Sequence, residues 1–195
     1  MTSPAGYAPF LEPLAALQRL LSHFSERGVI MGGIAVSLLG KPRLTADLDA
    51  MFLLSIDDVP DLIDAAKTEG IVARIGAVEE FAHKNRVVLL RHQESGTNID
   101  ISLGMLPFEE EIVERSILVQ AGTLSVRLPT PEDLIILKAV ANRPRDLLDI
   151  QTVIESHPDL DRERIESWVR QFAIALDMPE LWTDIEGMLT GKRPK

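Results

Sequence analysis

The stretch that most constrains the fold spans residues 29–54 and reads VIMGGIAVSLLGKPRLTADLDAMFLL. A short apolar run ends in the pair Gly32-Gly33, and a second apolar run opens with Asp47 and Asp49. This order predicts a strand, a glycine turn, a helix and a second strand that begins with two carboxylates. The predicted bounds are about 29–31 for the first strand, 34–39 for the helix and 47–54 for the second strand.

Acidic residues at alternate positions indicate a metal site. Side chains alternate faces along a strand, so Asp47 and Asp49 point to the same side, with their Cα atoms about 6.5–7 Å apart. The later run 97–103 is also strand-like and carries Asp100 among its polar positions, so Asp100 joins the other two if the strands are neighbours. Three carboxylates around two Mg²⁺ ions form a site for in-line phosphoryl or nucleotidyl transfer. The alternative for D-x-D alone is an edge strand with a solvated acidic face.

Candidate phosphate-binding residues lie on either side of the predicted helix 34–39. Gly32 and Gly33 at the helix start allow a phosphate to approach backbone N–H groups at the positive end of the helix dipole. A glycine pair by itself is more typical of a simple turn. Arg43 and Thr45 precede the aspartates, where they either order the metal loop or contact phosphate, and ordinary loop polarity is the alternative.

The remaining patterns predict an α+β chain in two parts. We expect an α+β core with an N-terminal helix over residues 1–128, and a helical C-terminal part over 129–195 packed on it. Thr130 followed by Pro131 is typical of a helix N-cap and first turn. Residues 1–8 are predicted to be irregular. Further helices are predicted near 10–24, 58–67, 78–83, 131–142, 144–155, 162–175 and 179–189, and further strands near 86–91, 97–103, 117–119 and 124–127.

Composition narrows the class of protein. The chain has 195 residues, a formal net charge of −10 and no cysteine. The charge disfavours nucleic-acid binding mainly through the phosphate backbone unless a local basic patch provides it. The missing cysteines exclude disulfides, thiolate metal sites and a cysteine nucleophile. No apolar run approaches the roughly 18 residues of a membrane span, and no basic stretch precedes an apolar one at the N-terminus. We therefore expect a soluble cytoplasmic protein with no membrane partner.

Together these motifs resemble the signature of the DNA polymerase β-like nucleotidyltransferases. The matching residues are Met31-Gly32-Gly33, Arg43-x-Thr45-x-Asp47-x-Asp49 and Ile99-Asp100-Ile101. The stretch 129–150, with Lys138 and Arg145-Asp146-x-x-Asp149, is most similar to the AbiEii-type branch, which includes toxins of bacterial toxin–antitoxin pairs. The resemblance covers about residues 28–150. It implies a small mixed sheet with flanking helices plus a C-terminal helical part.

The resemblance also implies an activity. Such a protein moves an NMP from an NTP to an acceptor hydroxyl on tRNA, a protein or a small molecule, with two Mg²⁺ ions as cofactors and Mn²⁺ as a substitute. Asp47, Asp49 and Asp100 would hold the metals, and Asp100 would also act as the base. Gly32 and Gly33 would contact the triphosphate. A toxin–antitoxin role, with a cognate antitoxin as partner, follows from the same branch.

Two basic residues in the C-terminal part complete the predicted site. Lys138 would reach the triphosphate as a point charge, as the resemblance implies. Arg145 is a candidate at the nucleotide, the alternative being a solvated helix face with Arg-to-Asp pairs. Gly33 stands where the signature also allows serine, so a hydroxyl–phosphate contact is missing.

Two other functions remain open from the sequence. One is a non-catalytic member of the same fold that binds nucleotide or a partner protein. The other is a metal-dependent phosphohydrolase that uses the same acids.

Overall fold

The computed structural model describes residues 10–191, so the irregular N-terminus predicted over residues 1–8 lies outside the described part. The fold is α+β, as predicted. The described residues form two compact units. The first comprises residues 10–38 and 42–129, and the second comprises residues 39–41 and 130–191.

The first unit contains a five-stranded mixed sheet in the order β1-β2-β5-β4-β3 and a separate β6-β7 hairpin. In the large sheet, β2 and β5 are parallel and the other neighbouring strands are antiparallel. A 3₁₀ turn (Ile56–Asp58) precedes the third helix. The elements in chain order are α1 (Leu11–His23), β1 (Gly28–Met31), α2 (Gly32–Leu39), β2 (Asp47–Phe52), α3 (Val59–Thr68), β3 (Ile71–Ala73), α4 (Val78–Asn85), β4 (Val87–His92), β5 (Asn98–Leu103), α5 (Pro107–Glu114), β6 (Ile117–Ala121) and β7 (Leu124–Leu128).

The strand β2 shows why the sequence pattern dictates this sheet. Its aspartates are half-buried, whereas Leu48, Ala50 and Phe52 are fully buried. Because side chains alternate along a strand, the apolar set fills the core and leaves both carboxylates together on the opposite face. The predicted alternation is confirmed. The apolar stripe of α1 is buried in the same unit, through Leu14, Leu17, Leu20 and Leu21.

The second unit consists mainly of four helices. Its first helix begins as predicted, because the Thr130 side chain accepts a hydrogen bond from the backbone N–H of Asp133 at 3.2 Å and Pro131 occupies the first turn. Asp133 is completely buried and is paired with Arg164, whose Nε lies 2.7 Å from its Oδ1. The helices are α6 (Pro131–Ala141), α7 (Pro144–Ser156), α8 (Arg162–Ala175) and α9 (Glu180–Leu189). Each lies within about one residue of its predicted bounds. Across residues 10–191, no helix is both long enough and apolar enough to span a bilayer.

Candidate active site

Three carboxylates lie on one face of two adjacent strands. In the parallel pair β2 and β5, Asp49 is the register partner of Asp100, and Asp47 is the partner of Asn98. Directly opposed residues of neighbouring strands point to the same face, and Asp47 shares that face because it is two residues from Asp49. The sequence prediction that Asp100 joins the other two required these strands to be neighbours, and they are.

Burial and neighbouring charges act in opposite directions on the pKa of Asp100. Burial raises the pKa of its carboxyl group, the nearby guanidinium of Arg74 lowers it, and the negative charge of Asp47 raises it again. The net result is a pKa above the ordinary aspartate value. The Arg74 Nη2 atom lies 2.9 Å from Asp100 Oδ1. The carboxylates of Asp47 and Asp100 are therefore close enough to repel each other, and Arg74 offsets part of that repulsion.

The glycine pair lies against the loop that leads into β2. Gly32 has φ of +66°, and the space that a Cβ atom would fill is occupied by the Asp49 carboxylate, whose Cγ would be 2.7 Å away. A Cβ on Gly33 would lie 2.6 Å from Thr45 Oγ1 and 3.1 Å from Arg43 Nη2. Glycine at both positions is thus what lets the start of α2 approach the loop and the strand β2.

Hydrogen bonds hold the loop that leads into β2. The Thr45 hydroxyl donates to the backbone oxygen of Asp47 at 3.1 Å and lies 3.4 Å from its carboxylate. Ser37, buried in α2, lies 3.0 Å from the carbonyl oxygen of Gly33 and 3.1 Å from that of Arg43. Its oxygen also accepts the Arg43 backbone N–H at 3.3 Å. Ser37 therefore fastens the loop to the helix that carries the glycines.

The two basic residues predicted at the nucleotide belong to the second unit and differ in their surroundings. Lys138 is buried, and its Nζ lies 2.8 Å from Asp146 Oδ1 and 2.9 Å from Asp149 Oδ2. Burial alone raises the pKa of Asp146, but hydrogen bonds from Arg143 and Lys138 outweigh it and hold that pKa below the usual range. Arg145 is exposed on α7.

Two residues that contact the site were not singled out from the sequence. Arg74 follows β3, and its contact with Asp100 depends on the order of strands in the sheet, which no local pattern encodes. Ser37 has no place in the site that the sequence predicts. A serine inside an otherwise apolar helix is a signal for hydrogen bonding to the backbone of the preceding turn, and this signal was present.

The three carboxylates suit a divalent metal in donor chemistry. Carboxylate oxygens are the hard ligands that Mg²⁺ and Mn²⁺ prefer. Burial and the negative charge of Asp47 both raise the pKa of Asp100 by disfavouring its ionised form, and a bound cation would favour that form. In the described part of the chain, no group of three or more His, Asp or Glu side chains is arranged closely enough to hold a metal ion. Asp47, Asp49 and Asp100 would therefore have to converge on an ion.

Solved structures with the same fold are nucleotidyltransferases or resemble them. The chain is similar to the antibiotic-resistance factor ANT(2'')-Ia in solution, with a TM-score of 0.54, 15% identity, and 86% of this chain and 95% of that chain covered. It is similar to the crystal structure of ANT(2'')-Ia in complex with adenylyl-2''-tobramycin, with a TM-score of 0.54, 15% identity and coverage of 84% and 98%. It is also similar to the crystal structure of an antigenic nucleotidyltransferase-like protein from Paracoccidioides brasiliensis. The TM-score is 0.54 and the identity is 17%, with 90% of this chain and 92% of that chain covered. At such identities the likeness shows a shared fold.

Sequence comparison extends beyond the fold. No match is found among curated proteins. A family model described as "Nucleotidyl transferase AbiEii toxin, Type IV TA system" matches residues 15–189, which include both units and every residue of the predicted site. The chain therefore belongs to the AbiEii family of nucleotidyltransferases, the branch that its motifs resemble.

Proposed function

We propose that this protein is a metal-dependent nucleotidyltransferase that moves an NMP from an NTP to an acceptor hydroxyl. The observation that carries the proposal is the placement of Asp47, Asp49 and Asp100 on one face of β2 and β5, beside the glycine start of α2. Family membership supports the reaction class. The cytoplasm, where NTPs and Mg²⁺ are abundant, is the proposed location.

The carboxylates would hold the metal. Asp47, Asp49 and Asp100 are the proposed ligands for Mg²⁺, with Mn²⁺ as a substitute. When bound, such ions would supply positive charge that offsets the negative charge of the triphosphate. Asp100 has the further role of base, accepting the proton of the acceptor hydroxyl.

The triphosphate would lie at the start of α2. Backbone N–H groups at a helix N-terminus bind anions, and the absence of side chains at Gly32 and Gly33 leaves the backbone accessible to phosphate. Arg43, whose guanidinium packs beside Gly33, would supply positive charge, and Thr45 would order the loop.

Lys138 and Arg145 are the remaining residues proposed to bind the nucleotide. An ammonium group has three N–H donors, and two of those on Lys138 face Asp146 and Asp149. A contact with phosphate would use the third donor. Arg145, which is exposed, is the second proposed cation.

A labelling experiment tests the activity. The purified protein is incubated with each labelled NTP, Mg²⁺ and a cell extract, and label is sought in RNA, protein and small molecules. The expected result is transfer that stops with Asp47→Asn and with EDTA. Asp64→Asn, which removes an exposed surface carboxylate paired with Lys67, is the control and keeps full activity.

The other outcomes of this experiment are informative. Labelling that survives Asp47→Asn contradicts the proposal. Nucleotide binding without turnover favours a non-catalytic binding protein, and release of free NMP without an acceptor favours a phosphohydrolase. Since ANT(2'')-Ia is seen with adenylylated tobramycin, small-molecule hydroxyls belong in the panel beside tRNA and protein.

We also propose a toxin–antitoxin role with a cognate antitoxin as partner, because the family is described as a toxin of such a system. Induced expression should then arrest growth of a bacterial host, and Asp49→Asn should relieve the arrest at equal protein level. Equal growth with and without induction of the wild-type protein would count against toxicity, while leaving the transfer reaction to the labelling experiment.

A further inference from the structure

An arginine at the outer edge of the sheet contacts Asp100, the third carboxylate of the candidate site. Arg74 follows β3, and its backbone N–H donates to the carbonyl oxygen of Leu89 at 2.9 Å, which extends the β3–β4 ladder by one residue. Leu89 is the register partner of Asp100, and Asp100 is the partner of Asp49. These residues therefore form one row across the sheet, and the Arg74 side chain crosses β4 to place Nη2 2.9 Å from Asp100 Oδ1.

The length of the arginine side chain explains why it is suited to this contact. Two inter-strand spacings separate Arg74 from Asp100, about 9–10 Å at the usual distance between strands. A guanidinium group spans that distance over the intervening Leu89, and it remains charged at any relevant pH.

The contact is sheltered from solvent. The side chain of Arg74 is 21% exposed and that of Asp100 is 33% exposed. The Oδ1 atom itself is buried. The 2.9 Å approach is an ion pair that lowers the pKa of Asp100 against the effect of burial, and it is stronger than at an open surface because water screens it less.

A second arginine on the same face provides a comparison. Arg91, on β4, is exposed, and its Nε donates to the side-chain oxygen of Asn98 at 3.2 Å. Its partner is a neutral amide rather than a carboxylate. The two arginines thus lie on the same face of the sheet, but Arg74 contacts a carboxylate and Arg91 contacts an amide.

We propose that Arg74 is a positioning residue for the transfer reaction. It fixes the Asp100 carboxylate through Oδ1 and so orients the group that would hold the metal and accept the proton of the acceptor hydroxyl. This inference rests on the proposed function, in which Asp100 is the base. Arg74 acts through Asp100 and has no role in binding the NTP.

The kinetic test uses three variants. Arg74→Met keeps the bulk and removes the charge, Arg74→Lys keeps the charge, and Arg91→Met is the matched control. Loss of a residue that orients a ligand typically costs about 10–100-fold in activity. We therefore expect kcat of Arg74→Met to fall about 10–100-fold while KM for the NTP stays within about 2-fold. Arg74→Lys recovers part of the loss, and Arg91→Met keeps the wild-type kcat.

A second measurement does not depend on activity. Thermal unfolding is recorded in buffer without divalent metal for wild type, Arg74→Met, Asp100→Asn and the double variant. Arg74→Met should lower the Tm when Asp100 is present, because a part-buried carboxylate then loses its cation. In the Asp100→Asn background the same change should have little effect on Tm.

The outcomes separate this inference from the proposed function. Unchanged kcat in Arg74→Met, a rise in KM for the NTP with no fall in kcat, or Tm changes that simply add would each overturn the positioning role. A wild-type protein that labels no acceptor with any NTP defeats the proposed function and the catalytic role of Arg74 together. Coupled Tm changes would then show an ion pair without a part in transfer.

Discussion

Replacing Gly32 with alanine tests the close approach between the glycine turn and the strand β2. Gly32 has φ of +66°, in the left-handed region, where an L-residue with a Cβ costs about 1–2 kcal/mol. The new Cβ would also displace the Asp49 carboxylate, since Cγ and Cβ of Asp49 would be 2.7 and 2.8 Å away. Overpacking of this kind costs about 1–3 kcal/mol more. The expected total is about 2–5 kcal/mol.

Gly122→Ala is the matched control for backbone strain. Gly122 lies in the turn between β6 and β7 with φ of +67°, and a Cβ there meets nothing within 4 Å. It should therefore show the strain of about 1–2 kcal/mol without the displacement. In chains of this size, each kcal/mol lowers Tm by about 2–4 °C.

The assay combines stability with activity. Urea unfolding gives the two losses of stability, and the labelling assay gives the rates. Gly32→Ala should lose about 100-fold in transfer rate, because a shift of about 1 Å in a positioned group costs that much. Gly122→Ala should keep the wild-type rate. In an Asp49→Ala background, which leaves a Cβ at 2.8 Å, Gly32→Ala should recover part of its excess loss.

Equal losses of stability in Gly32→Ala and Gly122→Ala would refute the argument. So would a Gly32→Ala protein with the wild-type transfer rate, since the displaced carboxylate would then have no part in the reaction.

Three further outcomes follow from the same structure. Gly33→Ser should lower stability and activity, because its Cβ would lie 2.6 Å from Thr45 Oγ1, and Thr45→Ala should restore stability in part, as urea unfolding would show. Lys138→Met should cost about 3–5 kcal/mol in the same assay, because it removes the buried cation that Asp146 and Asp149 share, while Lys41→Met at an exposed pair should leave the unfolding midpoint unchanged. The lowered pKa of Asp146 means that its contribution to stability is present above the ordinary aspartate pKa of about 3.9 and is lost as pH falls through the lower folded-state pKa, so Asp146→Asn should flatten the acid limb of stability against pH.

Local patterns in the sequence predicted most of the elements. The alternation in β2 and the cap at Thr130 each depend on residues within one turn or strand, and a local pattern is enough to identify them. The pairing of β2 with β5 is different. It joins residues about fifty positions apart and depends on β4 and β3 lying on the outer side of β5. The position of Asp100 beside Asp49 could therefore be expected from the motif but not worked out from periodicity.

Contacts between side chains on distant elements could not be predicted from the sequence. Arg74 reaches Asp100 only because β3 ends two strands away at the matching register. Lys138 and Asp146 are eight residues apart on two different helices, and only the packing of α6 against α7 makes them a buried pair. A lysine near two aspartates in sequence is compatible with a phosphate contact and with a structural ion pair, and their spacing does not decide between them.

Asp146 and Asp100 both lie beside cations, and burial raises the pKa of each, but their net pKa shifts have opposite signs. Cations outweigh burial at Asp146 and lower its pKa, whereas burial and Asp47 outweigh Arg74 at Asp100 and raise its pKa. A raised folded-state pKa means that the ionised group costs stability at neutral pH, and a lowered one means that it contributes stability. Asp100→Asn should therefore stabilise the metal-free protein at pH 7 and abolish transfer, whereas Asp146→Asn should destabilise it. Urea unfolding in EDTA measures the change in the free energy of unfolding for both variants. A loss of stability in Asp100→Asn would show that Asp100 serves the fold rather than the reaction.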